Sequence, residues 1–202
     1  LITSKTNSTG FSLEGVNFVD IVDNEVYVNA RSIRFINVTG SSTSRNLVTG
    51  NIWSSSLPLG NGVLRNVFSY GNYSDIVFNS IYGKMPESGK AMTTLIGGTS
   101  VVFRNNIVHN DTVSNALDFT NGTSISKDYN NIYGNGGSSN FLNGSLGTNS
   151  ISVDPKFLSA TNLRPSNAAL LGKGVAFSGV TFDIDSVSRL NPPTIGAVQS
   201  IA

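Results

Sequence analysis

The sequence predicts an all-β solenoid, and three observations predict it. A strand-like stretch recurs along the chain, Gly, Asn and Ser turns separate the copies, and no amphipathic helix of ten or more residues interrupts them. The clearest copy runs from Ser100 to Asn110. Others run from Arg45 to Ser54, from Ser74 to Lys84 and from Ser126 to Asn135. Aligned on isoleucine, Ile52, Ile81, Ile107 and Ile132 fall roughly 25 to 29 residues apart, the spacing of stacked repeat units.

In chain order, residues 1–14 are polar and weakly patterned and read as a leading segment or linker. Residues 15–157 read as the repeat region. It opens with Val16, Phe18 and Ile21, followed by Val26-Tyr27-Val28, β-branched and aromatic residues in alternation. A second column of strands lies between the copies, at Ser32–Val38, Gly62–Phe68, Lys90–Ile96 and Asn115–Asn121. Asn37 to Asn51 and Asn66 to Ser80 are steps of roughly 14 residues, about half a repeat. Each repeat therefore carries at least two short strands. The loop Met85-Pro86-Glu87-Ser88-Gly89 lengthens one repeat, and residues 134–150 form a Gly/Ser/Asn-rich excursion. Residues 158–202 no longer repeat and read as a closing segment, because an uncapped last repeat would leave an open strand edge. Their best helical candidate, Ala168-Ala169-Leu170-Leu171, is short.

A β-sandwich also has short strands and regular turns. It gives no reason for Asn, Ile and an aromatic residue to recur at one period. A parallel β-helix does, because equivalent positions stack from coil to coil. On this reading Ile52, Ile81, Ile107 and Ile132 stack inward. Asn79, Asn105 and Asn130 form an amide ladder at a bend. Phe78 and Arg104 share an outer column. Trp53, Tyr82 and Tyr133 follow the isoleucines and form an outer aromatic column.

The copies Phe103-Arg104-Asn105-Asn106-Ile107 and Asp128-Tyr129-Asn130-Asn131-Ile132-Tyr133 resemble the right-handed parallel β-helix proteins of the pectate-lyase-like superfamily. The C-terminus is similar to the closing segment of many secreted bacterial β-helix proteins. Asp154-Pro155-Lys156-Phe157 resembles its DPxF strand, and Leu163-Arg164-Pro165-Ser166-Asn167-Ala168 resembles its L-x-P-x-S-P-A turn. Asp183-Ile184-Asp185 with Arg189 resembles D-I-D-G-x-x-R, and Ile195-Gly196-Ala197-Val198 resembles a final I-G-A-Y. The chain departs at Asn167, Ser186 and Val198, where the pattern has Pro, Gly and Tyr. The resemblance covers about the last three-quarters of the chain. It implies the right-handed coil and a secreted or cell-surface bacterial setting. It does not imply an activity, since the same closing segment occurs on lyases, surface proteins and adhesins.

Composition narrows the function classes. The chain has 202 residues, a net charge of +1 and only 12% charged residues, which excludes the basic face that nucleic acid requires. No stretch is long and apolar enough for a membrane span. There is no cysteine, so neither disulfides nor thiolate metal sites contribute. The chain starts at Leu1 and reads as a monomeric module of a longer secreted protein.

Two chemistries are open to the outer columns. Trp53, Tyr82, Tyr133 and Arg104 make a sugar-binding platform, on which pyranose C–H groups pack against ring faces. Arg104, His109 and Lys127 are the residues that a polysaccharide lyase would use as base and charge stabiliser, with Lys84 and Asp111 nearby in sequence. On this alignment His109 stacks on Gly83 and Gly134, leaving room for a substrate. The lyase set is sparse, with a single histidine in the chain. Asp75, Asp111, Asp118 and Asp128 are too scattered in sequence to read as a Ca²⁺ cluster, although Ca²⁺ is the ion that such carboxylates would take. The expectation is thus no cofactor. Asp183 and Asp185 read as turn residues of the closing segment. The function expected is glycan binding or surface adhesion, with a polysaccharide lyase and a structural spacer as the alternatives.

Overall fold

The computed structural model describes residues 2–3, 9–14, 20–27, 31–36, 47–49, 52–55, 66–69, 75–83, 93–96, 98–110, 117–118, 122–134, 141–142, 145 and 147–199. Among them the fold is all-β, with a single 3₁₀ turn at Ala168–Leu170. That turn is the short helical candidate in the closing segment.

Three parallel sheets carry the chain, and successive repeats supply successive strands to each. The first sheet contains Ile2–Thr3, Glu25–Tyr27, Ile52–Ser55, Ser80–Gly83, Ile107–Asn110 and Asn131–Gly134. The second contains Asp20–Val22, Leu47–Thr49, Asp75–Val77, Val102–Arg104 and Ser126–Asp128. The third contains Thr9–Glu14, Arg31–Ile36, Asn66–Ser69, Thr93–Ile96, Leu117–Asp118 and Phe141–Leu142. The expected second column of strands falls in this third sheet. The leading residues Ile2–Thr3 and Thr9–Glu14 are strands as well. The loop at Met85–Gly89 lies outside the described residues.

Among the described residues, the strands of the first and second sheets join at a sharp bend. The bend residue has positive φ: Asp23 at 56°, Phe78 at 55°, Asn105 at 58° and Tyr129 at 56°. An asparagine follows each one, at Asn24, Asn79, Asn106 and Asn130. The amide ladder is therefore Asn79, Asn106 and Asn130, which corrects the expectation that Asn105 belongs to it. Asn106 Oδ1 accepts from the Asn79 backbone N–H at 3.0 Å and from Asn79 Nδ2 at 2.9 Å. Asn130 Oδ1 accepts in the same way from Asn106, at 2.9 and 3.1 Å. Asn106 Nδ2 also donates to the Ile76 carbonyl at 2.9 Å, and Asn130 Nδ2 to that of Phe103 at 2.9 Å. All three asparagines are fully buried, so the ladder satisfies polar groups that would otherwise be costly.

The bend sets the strand register, and the register corrects the aliphatic stack. Ile52 pairs with Ser80, Ser80 with Ile107, and Ile107 with Asn131. The column with Ile81 holds Trp53, Val108 and Ile132. Counting from the isoleucine misplaces two copies by one residue, because Ile52 and Ile107 both pair with Ser80, one position before Ile81, and Ile107 pairs with Asn131, one position before Ile132. Such a slip moves a side chain to the other face of the sheet. Ile81, Val108 and Ile132 are fully buried on one face, and in the second sheet Ile21, Ile76 and Phe103 form a similar buried column. Phe78 is a bend residue and does not share the column of Arg104, which pairs with Val77 and Asp128.

The opposite face of the first sheet is covered by the C-terminal segment. Leu170 and Ile195 pack on Ile107, while Leu163, Ala197 and Val198 pack on Tyr82. Burial of each of the leucine, isoleucine and valine side chains contributes about 1.5–3 kcal/mol. Polar contacts pin the segment in place. Asn105, free of the ladder, exchanges two hydrogen bonds with the Val175 backbone, at 2.8 and 2.9 Å, and its carbonyl accepts from Gly196 N–H at 2.8 Å. Ser80 Oγ accepts from Ala197 N–H at 3.0 Å. Gly196 has φ 99°, and a Cβ there would lie 2.5 Å from Ile107 Cδ1. The last strands are capped too. Asn131 trades side-chain hydrogen bonds with the Val153 backbone, at 2.9 and 3.0 Å, and Ser150 Oγ accepts from Asn130 N–H at 3.1 Å.

Two charged residues shape the final turn. Asp183 is buried, and its carboxylate accepts backbone N–H bonds from Asp185, Val187 and Gln199 at 2.6–2.9 Å. It is a turn residue, as its place in the closing segment suggested. Arg189 lies over the Phe78 ring at 3.9 Å and donates to the carbonyls of Phe182, Gly196 and Ala197. Burial pulls its pKa down to about 10, against the attraction of Asp183 and Asp23, so it remains a cation at neutral pH.

Candidate functional site

The aromatic column of the first sheet contains Tyr82, His109 and Tyr133. Tyr82 pairs with Ser54 and with His109, and His109 pairs with Tyr133. His109 thus stacks on two tyrosines, not on Gly83 and Gly134, which pair with Asn110. Trp53 pairs with Ile81 and so belongs to the neighbouring position of the strand. The Trp53 side chain lies outside the described residues.

The rings meet edge to face. His109 lies 5.3 Å from Tyr82 at 77° and 5.1 Å from Tyr133 at 62°. Phe157, from the strand Phe157–Ser159, closes the group at 5.9 Å from His109 and 6.5 Å from Tyr82. Beside them is a cleft of about 260 Å³ lined by Tyr82, His109, Asp154, Lys156, Phe157 and Ser159. The column is not a flat exposed platform. Tyr82 is only 7% exposed, because Leu163, Ala197 and Val198 cover it, while Tyr133 and Phe157 are half-buried.

Lys156 reaches the cleft from a strained turn. Its φ is 49°, a conformation rare for a side chain with Cβ. The turn is held by Asp154 Oδ1, which accepts from Lys156 N–H at 2.8 Å, and by the Lys156 carbonyl, which accepts from Ser166 Oγ at 2.8 Å. In the sequence, Asp154, Lys156 and Phe157 stand out only as part of the closing motif. Their signal was a charged and aromatic cluster directly after the last repeat.

The lyase residues are not gathered in this way. Arg104 and Lys127 lie in the second sheet on alternate positions, since Arg104 pairs with Asp128 and Phe103 with Lys127. They occupy opposite faces of that sheet, and His109 is in the first sheet. Arg104 donates from Nε and Nη2 to Ser126 Oγ, at 3.1 and 2.6 Å. Asp128 is held by Asn149, which donates from its backbone at 2.9 Å and its side chain at 2.8 Å, and by Tyr129 N–H at 2.9 Å. Desolvation works against its charge. The hydrogen bonds from Asn149 and Tyr129, with the pull of Arg104, outweigh that effect and hold the carboxyl below its ordinary pKa. Lys84 and Asp111 lie outside the described residues. Among the described residues no group of three or more His, Asp or Glu side chains is placed to hold a metal ion, and no helix is long and apolar enough to cross a membrane.

Comparison with protein-family models, curated proteins and solved structures finds no match for this chain.

Proposed function

We propose that this chain is a right-handed parallel β-helix module of a larger secreted or surface protein, and that it binds glycan in the cleft beside Tyr82, His109, Tyr133 and Phe157. The coil is supported by three all-parallel sheets, each taking successive strands from successive repeats, with asparagines hydrogen-bonded from bend to bend. Glycan binding is supported chiefly by one observation: aromatic rings from three strands and Phe157 meet beside a cleft that also has Asp154, Lys156 and Ser159. Ring faces and edges suit sugar C–H groups, and the polar side chains suit hydroxyls.

A glycan array with the intact chain, repeated with Phe157→Ala and Tyr133→Ala, tests the reading. Binding lost in both variants, with folding intact by circular dichroism, is the expected result. A chain that binds nothing, or whose binding ignores both changes, rejects it. A structural spacer is the second reading, favoured by the 7% exposure of Tyr82 beneath the C-terminal segment. A lyase finds less support, because Arg104, His109 and Lys127 are divided between two sheets. Unsaturated product formed from a uronate polysaccharide and lost in His109→Ala would reverse that order.

A further inference from the structure

The cleft beside Tyr82 and His109 has a ring side and a polar side, and the polar side discriminates among sugars. His109 contributes ring surface alone. It is held edge to face between Tyr82 and Tyr133, and both of its ring nitrogens are buried out of reach of the cleft. The polar side chains that line the opening are Asp154, Lys156 and Ser159. Ser159 Oγ already accepts from Thr161 N–H at 3.2 Å and lies 3.3 Å from Thr161 Oγ1, so much of its capacity is used within its own turn.

Asp154 and Lys156 keep theirs. Asp154 Oδ1 accepts from Lys156 N–H at 2.8 Å, whereas Oδ2 carries no hydrogen bond among the described residues. Lys156 Nζ makes neither a hydrogen bond nor an ion pair among the described residues, and the side chain is exposed. One carboxylate and one ammonium, two residues apart on a single turn, thus border the same cleft. The carboxylate only accepts and the ammonium only donates. A sugar hydroxyl does both, so it can donate to Asp154 and accept from Lys156, and two neighbouring hydroxyls can share the pair. A ligand carboxylate matches Lys156 alone. Beside Asp154 it meets a like charge, and it gives up more hydration on entry than a hydroxyl does.

From this combination we infer that the cleft selects glycans of neutral hexoses over glycans of uronates. Asp154 turns the acidic sugar away, Asp154 and Lys156 together hold ring hydroxyls, and Phe157 packs on the C–H face of the ring. The inference rests on the glycan-binding reading and adds to it the charge class of the sugar.

The test is calorimetric titration of the intact chain with two matched pairs. One is cellotriose and the β-1,4 glucuronate trimer, which differ only in the carboxylate at C6. The other is the α-1,4 galacturonate trimer as its methyl ester and as the free acid. In each pair that binds, the neutral member is expected to bind at least tenfold more tightly. Asp154→Asn removes the charge but keeps Oδ1 as acceptor for Lys156 N–H, and it should bring the acidic member to within about threefold of the neutral one. Equal or tighter binding of the acidic member by the unaltered chain overturns the inference and leaves glycan binding standing. A tenfold gap that Asp154→Asn leaves in place overturns it too, because the discrimination then has another source. If neither pair binds, the ligands found on the array decide: neutral sugars lost in Phe157→Ala uphold the inference, and acidic sugars lost in that variant overturn it. Failure of every glycan, or binding indifferent to Phe157→Ala and Tyr133→Ala, rejects both readings. The comparison within each pair uses the unaltered chain and does not depend on any variant folding.

Discussion

Replacing Gly196 with alanine introduces two faults at one position. The backbone there has φ 99°, where an L side chain is strained at a cost of about 1–3 kcal/mol. The new methyl would also fall 2.5 Å from Ile107 Cδ1, 3.0 Å from Ile107 Cγ1 and 3.0 Å from Ser80 Oγ. Ile107 and Ser80 are fully buried, so neither has space to yield, and overpacking of this kind costs about 1–3 kcal/mol. Reduced freedom of the unfolded chain returns about 0.4–1 kcal/mol. The net expectation is a loss of about 3 kcal/mol, or about 6–12 °C in Tm for a chain of this size. Urea unfolding followed by circular dichroism measures it. Ile107→Val removes the Cδ1 atom and by itself costs about 0.5–1.5 kcal/mol. Combined with Gly196→Ala it relieves part of the overlap, so the double variant should exceed the additive value by about 1 kcal/mol. A single Gly196→Ala change within about 0.5 kcal/mol of the parent, or strict additivity in the pair, would refute the close seating of the C-terminal segment on the first sheet.

Three further outcomes follow from the polar groups. Asn106→Ala removes the acceptor used twice by Asn79 and the donor to Ile76 and Asn130, and should cost about 3–5 kcal/mol in urea unfolding, more than Asn105→Ala, which loosens the segment around Val175. Equal losses at the two positions contradict the ladder. Asp128 has its folded pKa lowered below 3.8, so its contribution is present above that value and is lost as pH falls through the folded pKa; Asp128→Asn should lower stability at pH 7 and make the acid limb of a stability–pH profile shallower. Asp23 runs the other way, because burial raises its pKa, opposed by Arg189 and assisted by Asp183, and its contribution fades as pH rises through the folded value. Asp23→Asn, which also suits the φ of 56°, should be more stable than the parent at pH 7 and lose most of that advantage below pH 3, as read by thermal melts across pH.

Much of the architecture was legible in the recurrence itself. The turn-separated copies located the strands of the first and second sheets, and the intervening apolar runs located the third. What stayed hidden was register. Asn105-Asn106-Ile107 and Asn130-Asn131-Ile132 look like one motif, yet the bend falls on Asn105 in one and on Tyr129 in the other. Positive φ at Phe78 and Tyr129 has no letter-level signature, since those residues seldom adopt it. The aromatic site was half legible for the same reason. The sequence aligns Tyr82 with Tyr133, as the register does, but it sets Trp53 in their column and the intervening histidine against glycines, where the register does not. The part contributed by Asp154, Lys156 and Phe157 depends on how the C-terminal segment lies on the sheet, a long-range contact that no local pattern encodes. The burial of Tyr82 has the same origin.

The bend asparagines act as a reset for the count of residues. Asn79 and Asn106 are 27 residues apart, Asn106 and Asn130 only 24, yet each pair meets with the same atoms. Whatever is gained or lost between two bends is absorbed before the next asparagine and passes no error onward. Whole loops can therefore lengthen or vanish in the course of evolution while the strands beyond them keep their alignment. One residue inserted between Asn106 and His109 has no such refuge, for it turns every following side chain of that strand to the wrong side. The chain thus combines long tolerant spans with a few positions where its length is strictly policed.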